Sequence, residues 1–185
     1  MSAETSGRMP RADDTTTLLI ELLTRRALRV AVAESLTGGL VVAELTSVPG
    51  ASLVVSGGIV AYDTAVKRSL LGVDAALLDR EGPVHPEVAR QMARGVRAAL
   101  AIAGSPADVG LATTGVAGPD WQGGRPPGTV FLGLSFGDGL GDDPEGRGQG
   151  DAESIELALT GDRAEIRRAT VRALVEHTLR RLGAG

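Results

Sequence analysis

The sequence predicts a three-layer α/β domain built on a mixed sheet. Strand-like and helix-like segments alternate through the first two thirds of the chain, and two strand-like segments, 129–136 and 154–159, then follow one another directly. The 185 residues are 43% apolar with a mean hydropathy of +0.09, enough to bury the core of about one domain. There is no internal repeat at a spacing of about 20–50 residues.

Residues 1–14 are polar without apolar periodicity and read as a disordered tail. Leu18, Leu19, Leu22 and Leu23 then mark one face of a helix over 15–26. A strand is expected over 28–33, and a helix over 40–46 that ends at Val48-Pro49-Gly50. Residues 53–62 read as a second strand in which Gly57-Gly58 signals a bulge or a close backbone approach. Asp63 is the expected N-cap of a helix through Leu71, stopped by Gly72. A short helix over 74–80 precedes an amphipathic one over 86–103, where Val88, Met92, Val96 and Leu100 keep the buried spacing. Strands are expected at 108–114, 129–136 and 154–159. A glycine- and proline-rich loop spans 115–128, and an acidic, glycine-rich excursion spans 137–151. Gly161-Asp162 caps a last helix over 163–182.

Composition narrows the function. The net charge of -4 and pI near 5.2 argue against a sequence-blind binder of nucleic-acid backbone. Aromatic residues, at 2%, are too few for base-stacking platforms. The absence of cysteine removes disulfides, thiolate metal sites and cysteine nucleophiles, and two histidines cannot build a three-histidine zinc site. No apolar run approaches the roughly 18 residues of a membrane span, and residues 1–14 lack the apolar stretch of a signal peptide. The expected location is cytoplasmic, with no membrane or nucleic-acid partner. P-loop, dinucleotide-binding and G-x-S-x-G patterns are all missing.

Four segments remain. Glu34-Ser35-Leu36-Thr37-Gly38-Gly39 lies at a strand-to-helix turn, where a hydroxyl sits beside free backbone N–H groups. On spacing alone, capping of the helix by Ser35 or Thr37 is the ordinary reading. The second segment holds Tyr62, the chain's only tyrosine, and Lys67, its only lysine among 18 arginines. A solvated surface charge is the ordinary role of a lysine. Keeping one where arginine fills every other basic position points to a need that guanidinium cannot meet, loss of a proton near neutral pH. Arg68 would lower the pKa of Lys67 further if the two cations faced each other. The third segment, 113–129, carries five glycines able to present amides to an anion, or is simply a surface loop. In the fourth, Arg163 and Arg167 near a helix start suit a phosphate monoester, or Asp162 merely caps a solvated helix. His85 reads as a helix-start residue and His177 as a surface residue.

Together these stretches resemble the CinA C-terminal domain family, which includes stand-alone nicotinamide mononucleotide deamidases. The resemblance rests on AESLTGG (33–39), Pro49-Gly50, GGIVAYDTAVKRSLLGV (57–73), TTGVAGP (113–119), PPGTVFLGL (126–134) and TGDRAEIR (160–167), and it covers about residues 15–182. It implies an α/β/α sandwich with a mixed, mostly parallel sheet, residues 15–185 forming one domain. It also implies hydrolysis of the carboxamide of nicotinamide mononucleotide to nicotinic acid mononucleotide and ammonia, in pyridine-nucleotide salvage, without metal or cofactor. By motif, Ser35 matches the family's nucleophile and Lys67 its general base, with Tyr62 and Thr114 as further polar site residues. Thr37, Gly38, Gly39, Gly115, Gly118, Arg163 and Arg167 are the matching substrate-binding positions, Arg163 the surest phosphate contact and Arg125 a lesser one. The oxyanion would rest on N–H groups of the 37–39 turn, with Thr114. The partner implied is a small nucleotide, and the assembly a homo-oligomer. Trp121 and Gln122 depart from the family's loop pattern. A non-catalytic nucleotide-binding module, or an amidase for another small amide, stays open at this point.

Overall fold

The computed structural model describes residues 14–137, 140 and 152–183. Helix α1 (Asp14–Arg25) leads to β1 (Val30–Glu34), α2 (Leu40–Thr46), a 3₁₀ turn (Ala51–Leu53) and β2 (Val55–Val60). Then come α3 (Thr64–Leu71), α4 (Ala75–Glu81), α5 (Pro86–Ala99), β3 (Val109–Gly115), β4 (Thr129–Phe136), β5 (Ala152–Ala158) and α6 (Arg163–Gly183). Asp14 belongs to α1 rather than to a tail. The rest of the expected tail, and all of the 137–151 excursion except Gly137 and Leu140, lie outside the described residues.

The sheet order is β2-β1-β3-β4-β5. β1 pairs parallel with β2 and β3, while β4 is antiparallel to both β3 and β5. Four of the five strands therefore run one way, and the sheet is mixed and mostly parallel as expected. Alternation along β1 sends Val30 and Val32 into a core shared with α1, α2 and α6. Ala31 and Ala33 face the opposite core, under α3, α4 and α5. These are the two helical layers of an α/β/α sandwich. The alanine face suits a close helix approach. At Gly95 of α5 an added Cβ would lie 1.9 Å from the Leu71 carbonyl oxygen, so only glycine lets α5 seat against the end of α3.

Several boundaries differ from the sequence expectation. Residues 51–53 form the 3₁₀ turn, so β2 begins at Val55. The bulge expected near Gly57-Gly58 is present where β1 steps from pairing with Val55 to pairing with Gly57. Helix α5 stops at Ala99, although Leu100 continues its apolar stripe, because Ile102 and Ser105 pair across a tight turn with Ala103 and Gly104 at positive φ. Asp63 caps α3 by accepting from Ala65 N–H at 2.7 Å, and Gly72 ends it at φ 65°. Among the described residues no helix is long and apolar enough to cross a membrane.

β2 and β3 flank β1 on opposite sides. The carboxyl end of β1 is thus where the strand order reverses, the usual place for a ligand in an open α/β sheet.

Candidate active site

Ser35 directly follows β1 and extends its pairing by donating its N–H to the Thr113 carbonyl at 3.0 Å. The turn after it is not capped by either hydroxyl. The N-cap of α2 is Gly39, with no side-chain cap. The fully buried Glu34 carboxylate instead accepts from the N–H groups of Gly39 (2.9 Å), Val41 (3.1 Å) and Val42 (3.0 Å). A negative charge at a helix start both satisfies orphan donors and complements the helix dipole. Glu34 takes the cap, so the Ser35 hydroxyl is left for other work. The Thr37 hydroxyl is buried and shares a hydrogen bond with the Thr113 hydroxyl at 2.8 Å.

Lys67 is 1% exposed and sits on the inner face of α3. Its Nζ lies 3.0 Å from Ser35 Oγ and 2.6 Å from the Ala61 carbonyl oxygen. No salt bridge to Lys67 occurs among the described residues. Burial lowers the amine from its ordinary 10.5 to about 8, against the pull of Asp63, which raises it. Arg68, considered from sequence as a cause of such lowering, is not among the groups that act on it. The amine donates to both oxygens, and once it has lost a proton its lone pair can face the Ser35 hydroxyl instead. In chemical terms this is a hydroxyl paired with a base able to take its proton near neutral pH.

A cleft of about 270 Å³ opens over Ser35. Tyr62, Gly115, Gly118 and Arg163 line it, four of the residues singled out from sequence. The Arg163 guanidinium donates to Tyr62 Oη at 2.9 Å and to the Gly118 carbonyl at 2.8 Å, tying the start of α6 to both neighbouring loops. Asp162 also caps α6, accepting from Glu165 N–H at 2.8 Å.

Other expected contacts fall elsewhere. Arg167 donates to the carbonyls of Leu36 (2.9 Å) and Thr37 (2.7 Å) and so clamps the turn. Arg125 lies over the Phe131 ring, 5.6 Å from its centre. The Thr114 hydroxyl donates to the Pro83 carbonyl at 2.6 Å and has no proton left for an oxyanion. Gly38 N–H donates to the Ser35 carbonyl, and Gly39 N–H to Glu34, so neither glycine amide is open. Among the described residues the amides of Leu36 and Thr37 have no acceptor. Since the Leu36 carbonyl is turned to Arg167, the Thr37 N–H of the same trans peptide points away from it. His85 caps α5 through Nδ1, accepting from Glu87 N–H at 3.2 Å.

Sequence reasoning missed Glu34 as a cap, the Ala61 carbonyl as the lysine's anchor, and Asp120 and Trp121 as lining of the cleft. An acid placed before a turn whose helix begins on glycine is the signal that could have found the first.

Comparison with known proteins gives the chain's family. The family model for the CinA C-terminal domain matches residues 12–182. A CinA-like protein of Frankia casuarinae is 44% identical over 168 residues, 91% of this chain and 35% of the relative. A competence-damage inducible protein of Geobacillus kaustophilus is 44% identical over 156 residues, 84% of this chain and 34% of the relative. The chain thus spans about a third of the length of these curated relatives. Among solved structures, the competence/damage inducible protein CihA of Agrobacterium tumefaciens superposes with a TM-score of 0.77 at 33% identity, covering 98% of this chain and 99% of that one. A CinA superfamily protein of Klebsiella pneumoniae gives 0.79 at 28% identity, covering 93% and 98%. With nearly its whole length matched in sequence and in fold, the chain belongs to the CinA C-terminal domain family.

Proposed function

We propose that the chain is an amidohydrolase that converts nicotinamide mononucleotide to nicotinic acid mononucleotide and ammonia, with Ser35 as nucleophile and Lys67 as general base. The observation that carries this reading is the 3.0 Å contact between Ser35 Oγ and a lysine amine that is buried and lowered to about 8.

Neutral Lys67 takes the Ser35 proton as Oγ attacks the carboxamide carbon. The electron-poor pyridinium ring makes that carbon more electrophilic. The Leu36 amide, beside Ser35 in the cleft wall, holds the tetrahedral oxyanion; one such donor contributes about 3 kcal/mol. The Lys67 ammonium then protonates the departing nitrogen, which leaves as ammonia. Water, deprotonated by the same amine, attacks the ester carbonyl, and the proton returns to Ser35 Oγ as the acid leaves. Arg163, whose guanidinium keeps donors beyond the two already engaged, holds the 5′-phosphate. No step calls for a metal or cofactor.

Ammonia yield from nicotinamide, its riboside, its mononucleotide and its dinucleotide tests the reading. The mononucleotide should give the highest kcat/KM. Thermal stabilisation by the mononucleotide with no ammonia released would instead indicate a binding module. Preference for an unrelated small amide would keep the chemistry and overturn the substrate.

A further inference from the structure

The chain has four aromatic rings, and they divide cleanly. Phe131 and Phe136 are buried in the core. Tyr62 and Trp121, 61% and 69% exposed, both line the cleft over Ser35. An indole left in water at a cleft wall, in a protein with one tryptophan, is a large apolar face that is mostly uncovered among the described residues.

Trp121 is also held in place. It immediately precedes a tight turn in which Gln122 N–H donates to the Arg125 carbonyl (3.1 Å) and Arg125 N–H to the Gln122 carbonyl (3.0 Å). Gly123 and Gly124 supply the positive φ values, 54° and 73°, that such a turn requires. The Arg125 guanidinium over Phe131 fastens the tip to the core. Asp120, the residue before Trp121, lines the same cleft and adds negative charge. The cleft therefore joins an electron-rich indole and a carboxylate with the guanidinium of Arg163. A ligand that satisfies both ends is a flat cationic ring carrying an anionic group.

We propose that Trp121 is a specificity-determining residue whose indole face covers the cationic nitrogen heterocycle of the substrate, so that N-substituted pyridinium amides are selected over uncharged amides. This rests on the amidase reading above and extends it. Cation–π attraction at a partly desolvated ring is strong enough to set a KM difference of about tenfold.

Steady-state kinetics of the full chain test the proposal. Trp121→Ala should raise KM for nicotinamide mononucleotide about tenfold with kcat within about twofold, and Trp121→Phe should restore most of the loss. The uncharged dihydro form of the same nucleotide, measured as a competitive inhibitor of ammonia release, should show an equal inhibition constant in all three proteins. An unchanged KM in Trp121→Ala, or an equal rise in the inhibition constant of the uncharged form, overturns the assignment while leaving the amidase reading intact. If the wild-type chain releases no ammonia from any of these amides, the amidase reading fails. The ring contact is then decided by the protein's single-tryptophan fluorescence, titrated with the N-methylnicotinamide cation. Saturable quenching supports the contact, and purely collisional quenching overturns it.

Discussion

Lys67 Nζ and Ser35 Oγ meet at 3.0 Å across a separation of 32 residues. Ser35 continues from the end of β1, and Lys67 lies one turn into the helix that follows β2. The two strand ends are joined by the Ala61 N–H, which donates to the Glu34 carbonyl at 2.8 Å. The Ala61 carbonyl in turn anchors the amine. The pair is assembled by backbone bonds before any ligand arrives.

An amine lowered to about 8 sets the pH dependence. At pH 7 only about a tenth of the molecules hold the neutral base. kcat/KM should rise about tenfold per pH unit below 8 and level above it. A flat profile between pH 6 and 9 in ammonia release would exclude Lys67 as the base.

Lys67→Arg keeps the positive charge and removes the titratable group. Turnover should fall about 10²-fold or more, since a general base contributes that much. Ser35→Ala should abolish the acyl-enzyme, checked by mass spectrometry of acid-quenched reactions. An adduct still present in that variant would place the nucleophile elsewhere.

The same buried amine weakens the fold. Below pH 8 both folded and unfolded chains carry the proton, and the folded state bears the full cost of a desolvated ammonium. Between 8 and 10.5 the folded chain has released its proton while the unfolded chain still binds one, so stability rises with pH across that window. Lys67→Met should therefore be more stable than the wild type at pH 7, by on the order of 1 kcal/mol. Its advantage should shrink as pH approaches 10.5, as urea denaturation at pH 7 and 9.5 would measure. A constant difference at both pH values contradicts the assignment of the titration to Lys67.

Glu34→Gln replaces a carboxylate that accepts three amide protons with a group that presents an NH₂ to some of them. Loss of about 2 kcal/mol is expected in chemical denaturation. Turnover should drop as well, because the turn that carries Ser35 begins at this residue. Full activity with a lowered midpoint would show that Glu34 serves the fold alone.

Much of this was legible in the sequence. Lys67 stood out against 18 arginines, and the cap and stop of its helix, Asp63 and Gly72, were readable from local chemistry. The sheet's mixed order followed from two consecutive strands late in the chain. What was not legible depends on long-range partners. Arg167 and Arg125 look like free cations in sequence, yet one also clamps two carbonyls and the other lies over a phenylalanine ring. The hydroxyl of Thr114 is taken by Pro83, 31 residues away. The stripe ending at Leu100 gave no warning that the chain turns at Ala103.

The alignment of β1 with β2 pairs Glu34 with Val60, one residue before Ser35 and one before Ala61. A slide of two residues along that ladder would carry the amine roughly 6–7 Å from its partner, beyond any hydrogen bond. Reactive spacing in this protein is thus gauged by strand register. Variation that tunes what the protein accepts has room in the rim around Trp121, whereas the central strands leave almost none.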